Sequence, residues 1–136
     1  MLRSRLRIAL LILGSIAVAA LSFSITLFML PDLNNSSTTQ FVPGVSFVVD
    51  PAIMRECDPP VIAKLSWDVA LPSIKTVKVF VVDKKNGKEA LFAGPLAVVG
   101  SVPTDLWAVA NMVFILRDGD TMKQITKVTI GSKSCN

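Results

Sequence analysis

Residues 61–69 read Val61-Ile62-Ala63-Lys64-Leu65-Ser66-Trp67-Asp68-Val69, and from Ala63 onward apolar and polar side chains alternate. Successive side chains of an extended chain point to opposite faces, so Ala63, Leu65 and Trp67 share one side and Lys64, Ser66 and Asp68 the other. One face suits a core and the other suits water. That pattern predicts a strand buried on one side only, as antiparallel sheets allow.

The neighbouring sequence repeats the pattern. Val45-Ser46-Phe47-Val48-Val49 is expected to be a first strand, ended by Asp50-Pro51. Thr76 to Val82 is rich in β-branched residues and predicts a third strand. It runs into Asp83-Lys84-Lys85-Asn86-Gly87-Lys88, where Asn-Gly is the signature of a tight hairpin. Ala90 to Ala93 answers on the far side, with its end expected at Gly94-Pro95. Leu96 to Val102 and a short piece near Trp107 follow. Met112 to Arg117 then turns through Asp118-Gly119-Asp120 into Ile125 to Ile130. About seven short strands, with turn signals every eight to twelve residues or so, predict an all-β sandwich over residues 45–136.

The N-terminal third has a different period. Ile8 to Leu30 contains no charged residue and no Pro. At 1.5 Å per residue this run makes a helix of about 34 Å, enough to cross a hydrocarbon core of about 30 Å. A single transmembrane helix is expected at 8–30, behind a basic flank at 1–7 carrying Arg3, Arg5 and Arg7. No Lys or Arg lies between Arg7 and Arg55, so the positive-inside rule predicts a cytoplasmic N-terminus and an exported remainder. Pro31 stops the helix, and 31–44 reads as a polar linker. A cleaved signal peptide competes with the anchor, because Ala17-Val18-Ala19 has the small-x-small form of a cleavage site. Against cleavage, the apolar run continues from Ala20 to Leu30. Gly14, Ser15, Ala19, Ala20 and Ser24 form a stripe of small residues where a second helix could approach closely in lipid, although such residues are also common in any span.

Charge and composition exclude more than they assign. The chain is 51% hydrophobic and only 18% charged, with a mean hydropathy of +0.58. Its net charge of +4 is mostly the three N-terminal arginines. From Pro31 onward 11 Lys and Arg stand against 10 Asp and Glu, mixed along the chain. No clustered basic face of the kind nucleic acids require is visible, so no nucleic-acid partner is expected. The chain has no His and no Tyr, which removes His-based acid–base chemistry, Ser-His-Asp and Cys-His nucleophiles and His-ligated metals. Two cysteines cannot hold a four-cysteine zinc site. The expectation is a protein that is not an enzyme, with no cofactor, no metal and no small-molecule substrate.

Leu65-Ser66-Trp67, a Pro-containing loop, then Val77-x-Val79-x-Val81 resembles the second and third strands of fibronectin type III and bacterial immunoglobulin-like domains. Leu91 to Gly94, Gly100-Ser101, Asp105-Leu106-Trp107 and Met112 to Leu116 are similar to the later part of such modules, where a Trp precedes the penultimate strand. The resemblance spans residues 45–131 and departs from the fibronectin pattern in lacking the later-strand Tyr, so a tyrosine corner cannot form. In such sandwiches the chain before the second strand pairs in parallel with the final strand. The resemblance therefore implies a Cys57–Cys135 disulfide at the pole away from the tether; two free buried thiols are the alternative.

Few other residues invite a role. Asp118-Gly119-Asp120 lacks the ligand series of a calcium loop and reads as a turn. Asn34-Asn35-Ser36-Ser37 holds two N-x-S sequons, with a flexible linker as the default. Trp107 is a possible partner contact on an edge strand, with core packing as the competing role. The leading expectation is an accessory subunit of a larger complex in the cytoplasmic (inner) membrane, with other membrane-protein subunits and the lipid bilayer as partners. Energy-transducing assemblies, photosynthetic or respiratory, contain such small subunits. The alternative is a free-standing anchored module that recognises a sugar, peptide or cell-wall ligand.

Overall fold

The computed structural model describes residues 39–136. The expected membrane helix at 8–30, its basic flank and residues 31–38 of the linker lie outside the described residues. Among the described residues there is no helix. Nine strands form: β1 (Val45–Asp50), β2 (Ile53–Arg55), β3 (Lys64–Val69), β4 (Val77–Val82), β5 (Glu89–Leu96), β6 (Val99–Pro103), β7 (Val113–Asp118), β8 (Gln124–Thr129) and β9 (Gly131–Lys133).

They make a three-stranded sheet in the order β1-β3-β6, a four-stranded sheet in the order β5-β4-β7-β8, and a two-stranded pair β2-β9. All pairs are antiparallel except β2-β9, where Ile53 lies beside Gly131 and Arg55 beside Lys133 in parallel. Buried side chains of both larger sheets join one apolar cluster, an arrangement compatible with a β-sandwich. Phe47 and Leu65 of one sheet and Val77, Val79, Phe114, Leu116 and Val128 of the other are each 1% exposed or less. Burying each side chain of this size stabilises the fold by about 1.5–3 kcal/mol relative to leaving it in water.

The alternation at 63–69 is realised as expected. Ala63, Leu65, Trp67 and Val69 are buried, and Lys64 and Asp68 are exposed. Register follows from that burial, with Phe47 opposite Trp67 and Val49 opposite Leu65 on the inner face.

Several boundaries differ from the expectation, each for a local reason. Nine strands form rather than about seven, because β2 and β9 are three residues long and too short to show a period. The expected strand near Trp107 reduces to one bridge, Ala108 to Val61, made by two reciprocal backbone hydrogen bonds of 2.9 and 3.0 Å. β5 does not end at Gly94-Pro95 but runs through it. The register with β4 shifts twice between Val77 and Phe80, and Gly94 takes φ 121° with the site of a Cβ only 2.9 Å from the Val77 carbonyl oxygen. Pro95 is tolerated because β5 is an edge strand and needs no donor on its outer side.

The β4–β5 connection is also wider than a two-residue turn. Asp83 and Lys88 close it through an Asp83 N–H to Lys88 C=O bond of 2.8 Å, and Gly87, at φ 68°, donates to the Asp83 carbonyl at 2.8 Å. Asp83 and Asn86 side chains accept from the N–H groups of Lys85 and Lys88, which holds the loop in shape.

Thr39 and Gln40, assigned to the linker by composition, are already attached to the sheet. Thr39 bridges Val128, and Gln40 N–H donates to the Lys127 carbonyl at 3.2 Å. The buried Thr126 hydroxyl donates to the Gln40 carbonyl at 2.7 Å. This segment covers part of the open edge of β8, one of the ways proteins blunt an edge strand. It starts level with Val128, near the end of β8 that leads into β9, so the described part of the linker is not confined to the pole opposite the cysteines.

Candidate functional site

Cys57 follows β2 and Cys135 follows β9, and the parallel β2–β9 pair brings them together. They form a disulfide with Cα atoms 5.9 Å apart. Cys57 N–H also donates to Cys135 Sγ at 2.8 Å. Both cysteines are exposed, so the bond is a surface clasp between chain segments 78 residues apart rather than part of the core.

Trp107 sits in a turn, not on an edge strand, with its own N–H donating to the Asp105 carbonyl at 2.8 Å. Its ring is half-buried. It meets Phe92 edge-on at 5.5 Å between centroids, and Phe114 at 6.2 Å. Phe114 is fully buried, so this aromatic cluster extends the core toward the end of the molecule where Val61 bridges Ala108. The outer part of the Trp107 ring borders an open groove of about 430 Å³ with Val81, Val82, Ala90 and Met112. Lys84, Lys85 and Asp83 form its polar rim, and Lys84 Nζ donates to the Ala110 carbonyl beside it. Such a groove accepts an apolar side chain or ring. Among the described residues no Ser, Thr or Cys lines it.

A second cleft, of about 480 Å³, opens at the opposite end between Val42, Leu71, Ile74 and the β7–β8 turn. Asp118 in that turn accepts from Asp120 N–H at 2.9 Å and from Thr121 N–H at 3.4 Å. These hydrogen bonds, the Asp120 one foremost, hold its carboxyl below the ordinary carboxylate range. Both bonds cap the turn. Gly119 is required there by contact, because a Cβ would stand 2.0 Å from the Thr76 hydroxyl oxygen. Among the described residues no three Asp, Glu, Cys or His side chains gather as metal ligands would.

Gly14, Ser15, Ala19, Ala20 and Ser24, the expected helix-packing residues, lie outside the described residues, as do the sequons at Asn34 and Asn35. Sequence reasoning passed over Thr104. It is 3% exposed, its hydroxyl accepts from Ala63 N–H at 2.8 Å, and it donates to the Asp105 carbonyl at 2.8 Å. The only hint was a Thr just before Asp105 at the end of a strand. The chain matches no protein-family model, no curated protein and no solved structure.

Proposed function

We propose that this chain is a non-catalytic, single-span accessory subunit of a larger membrane complex. Residues 8–30 cross the cytoplasmic membrane, with the small side chains from Gly14 to Ser24 against neighbouring helices. The β-domain docks on the exported side. Its finer assignment is to the immunoglobulin-like or fibronectin III-like sandwiches, supported by the 3 + 4 strand order and the parallel β2–β9 pair.

One observation carries the reading. The two cysteines are joined at exposed positions, where a cytosolic reducing pool would reach them. The three arginines ahead of an uncharged apolar run independently direct the same domain into an oxidising compartment. Two unrelated physical signals thus support export, and retention in the bilayer rests on the apolar run that continues from Ala20 to Leu30. The Trp107 groove is the contact we assign to a partner subunit, since it offers an aromatic face in a concave apolar setting.

Purification of the full chain in mild detergent, with mass-spectrometric identification of co-migrating proteins, tests this. Other membrane subunits should co-migrate with the wild type, and Trp107→Ala should weaken that association. A lone, monodisperse monomer would overturn the subunit reading. If that monomer binds a sugar, peptide or cell-wall polymer, the anchored recognition module replaces it.

A further inference from the structure

The two outer faces of the domain differ in chemistry. Phe114 and Leu116 point inward, so Ile115 between them lies on the outer side of β7, where its neighbours cover it and leave it 6% exposed. The strand registers set Leu91, Phe80, Ile115 and Lys127 side by side in one row across β5, β4, β7 and β8. Of its apolar members Leu91 is open to solvent, while Phe80 is half-buried and Ile115 buried, and the row ends in the exposed Lys127. The next row pairs Lys78 with Arg117, and Met122 lies against both, its sulfur 3.9 Å from Lys78 Nζ and its carbonyl 3.0 Å from Arg117. Leu91 is 54% exposed and Met122 41%. Arg117 rests over the Phe80 ring at 5.7 Å and pairs with Glu89 at 2.7 Å. That leaves three cations against one carboxylate on this face. The outer face of β1-β3-β6 is instead a field of serines and valines around Asp50, Asp68 and Lys64, with carboxylates in excess.

We propose that the outer face of the β5-β4-β7-β8 sheet lies against an anionic lipid surface. The inference rests on the membrane-anchored reading and deepens it. Apolar side chains flanked by Lys and Arg stems are the composition that enters a headgroup region, the stems lying along apolar surface with the charges among phosphates. A second copy is a poor occupant, since two such faces would oppose cation to cation. The attachment of the chain favours lipid. Residues 31–38 alone separate the apolar run from Thr39, a reach of about 30 Å at full extension. Thr39 joins β8, the edge of this same sheet, beside Lys127. A link of that length is long enough for the β8 edge of this sheet to reach a lipid surface.

The full chain carrying Leu91→Trp, reconstituted into vesicles of phosphatidylcholine with or without about one-third phosphatidylglycerol, tests the proposal. Bromine-labelled lipid should quench the added Trp in the anionic vesicles and leave it bright in the neutral ones. K78E/K127E should abolish the difference, and NaCl at about 0.5 M should reduce it. Each charge near such a surface contributes about fivefold to association, so the double reversal should weaken it more than tenfold. Val48→Trp, on the opposite face, should remain unquenched. In the unsubstituted chain, β5 amides should exchange more slowly on anionic vesicles, which gives a readout free of any substitution. Equal quenching on both vesicles, or none while the chain resists alkaline extraction, overturns the lipid-facing sheet but not the anchor. Complete release by alkaline extraction overturns the anchor itself. Protection in native membranes but not on protein-free anionic vesicles would give this face to a protein and overturn the proposal.

Discussion

Gly100 of β6 lies directly opposite Trp67 of β3, and the site of a Cβ on Gly100 is 3.1 Å from Trp67 Cζ2. The indole cannot move away. It is 4% exposed, and its Nε1–H donates to the Ala97 carbonyl at 2.8 Å. Gly100→Ala should therefore destabilise the domain by about 1–2 kcal/mol, and Gly100→Val by more, through overpacking. For about 100 residues each kcal/mol lowers Tm by roughly 4–8 °C. Thermal unfolding followed by near-ultraviolet circular dichroism reads this, and an unchanged Tm for Gly100→Val would refute the contact.

Thr104 supplies a buried hydroxyl that accepts from Ala63 N–H while its own N–H donates to the Ala63 carbonyl at 2.7 Å. Thr104→Val keeps the shape and strands the Ala63 donor, at a cost of about 1–3 kcal/mol. Thr104→Ser retains the oxygen and should lose about half of that or less. Denaturant midpoints of the two variants check the order, and equal losses would mean that packing rather than the hydrogen bond sets the cost.

The Cys57–Cys135 bond closes a loop spanning 78 sequence positions. In the chain-entropy model that restricts the unfolded state by roughly 4 kcal/mol. Because both cysteines are exposed, Cys57→Ser/Cys135→Ser leaves no buried polar group behind, and the loss should act through the unfolded chain. The expected signature is a lower urea midpoint together with a larger m-value. Intact-mass alkylation before and after reductant should show both thiols blocked until reduced.

Asp118 gives the pH dependence its direction. Its carboxyl is held below the ordinary range in the folded state, mainly by the Asp120 N–H. A depressed folded pKa contributes stability above the unfolded value of about 3.9, and that contribution is lost as pH falls through the folded value. Asp118→Asn keeps an acceptor for the turn but removes the titration, so it should flatten the acid limb of a stability–pH profile while changing neutral stability little. A profile identical to wild type below about pH 4 would remove Asp118 from the account.

Much of the fold was legible in single strands. The period of two from Ala63 to Val69 decided which residues of β3 are buried, because strand side chains alternate whatever the strand later pairs with. The same local rule located β1, β4, β7 and β8 to within a residue or two. It failed where the chain relies on partners distant in sequence. β2 and β9 have no period of their own and exist because each is the other's neighbour. β5 continues through Gly94-Pro95 because it takes up the extra residue of each register shift against β4.

What the sequence determined by itself is therefore what can be read along the chain: an uncharged apolar run, the alternation of the strands, and a composition without His or Tyr. Only the tertiary structure decided that Trp107 packs on Phe92 and Phe114, that Thr104 is tied to Ala63, and that Leu91, Phe80, Ile115 and Lys127 form one row. Those relations join residues from 7 to more than 40 positions apart. They arise from strand register and from the facing of two sheets, which no local stretch of sequence encodes.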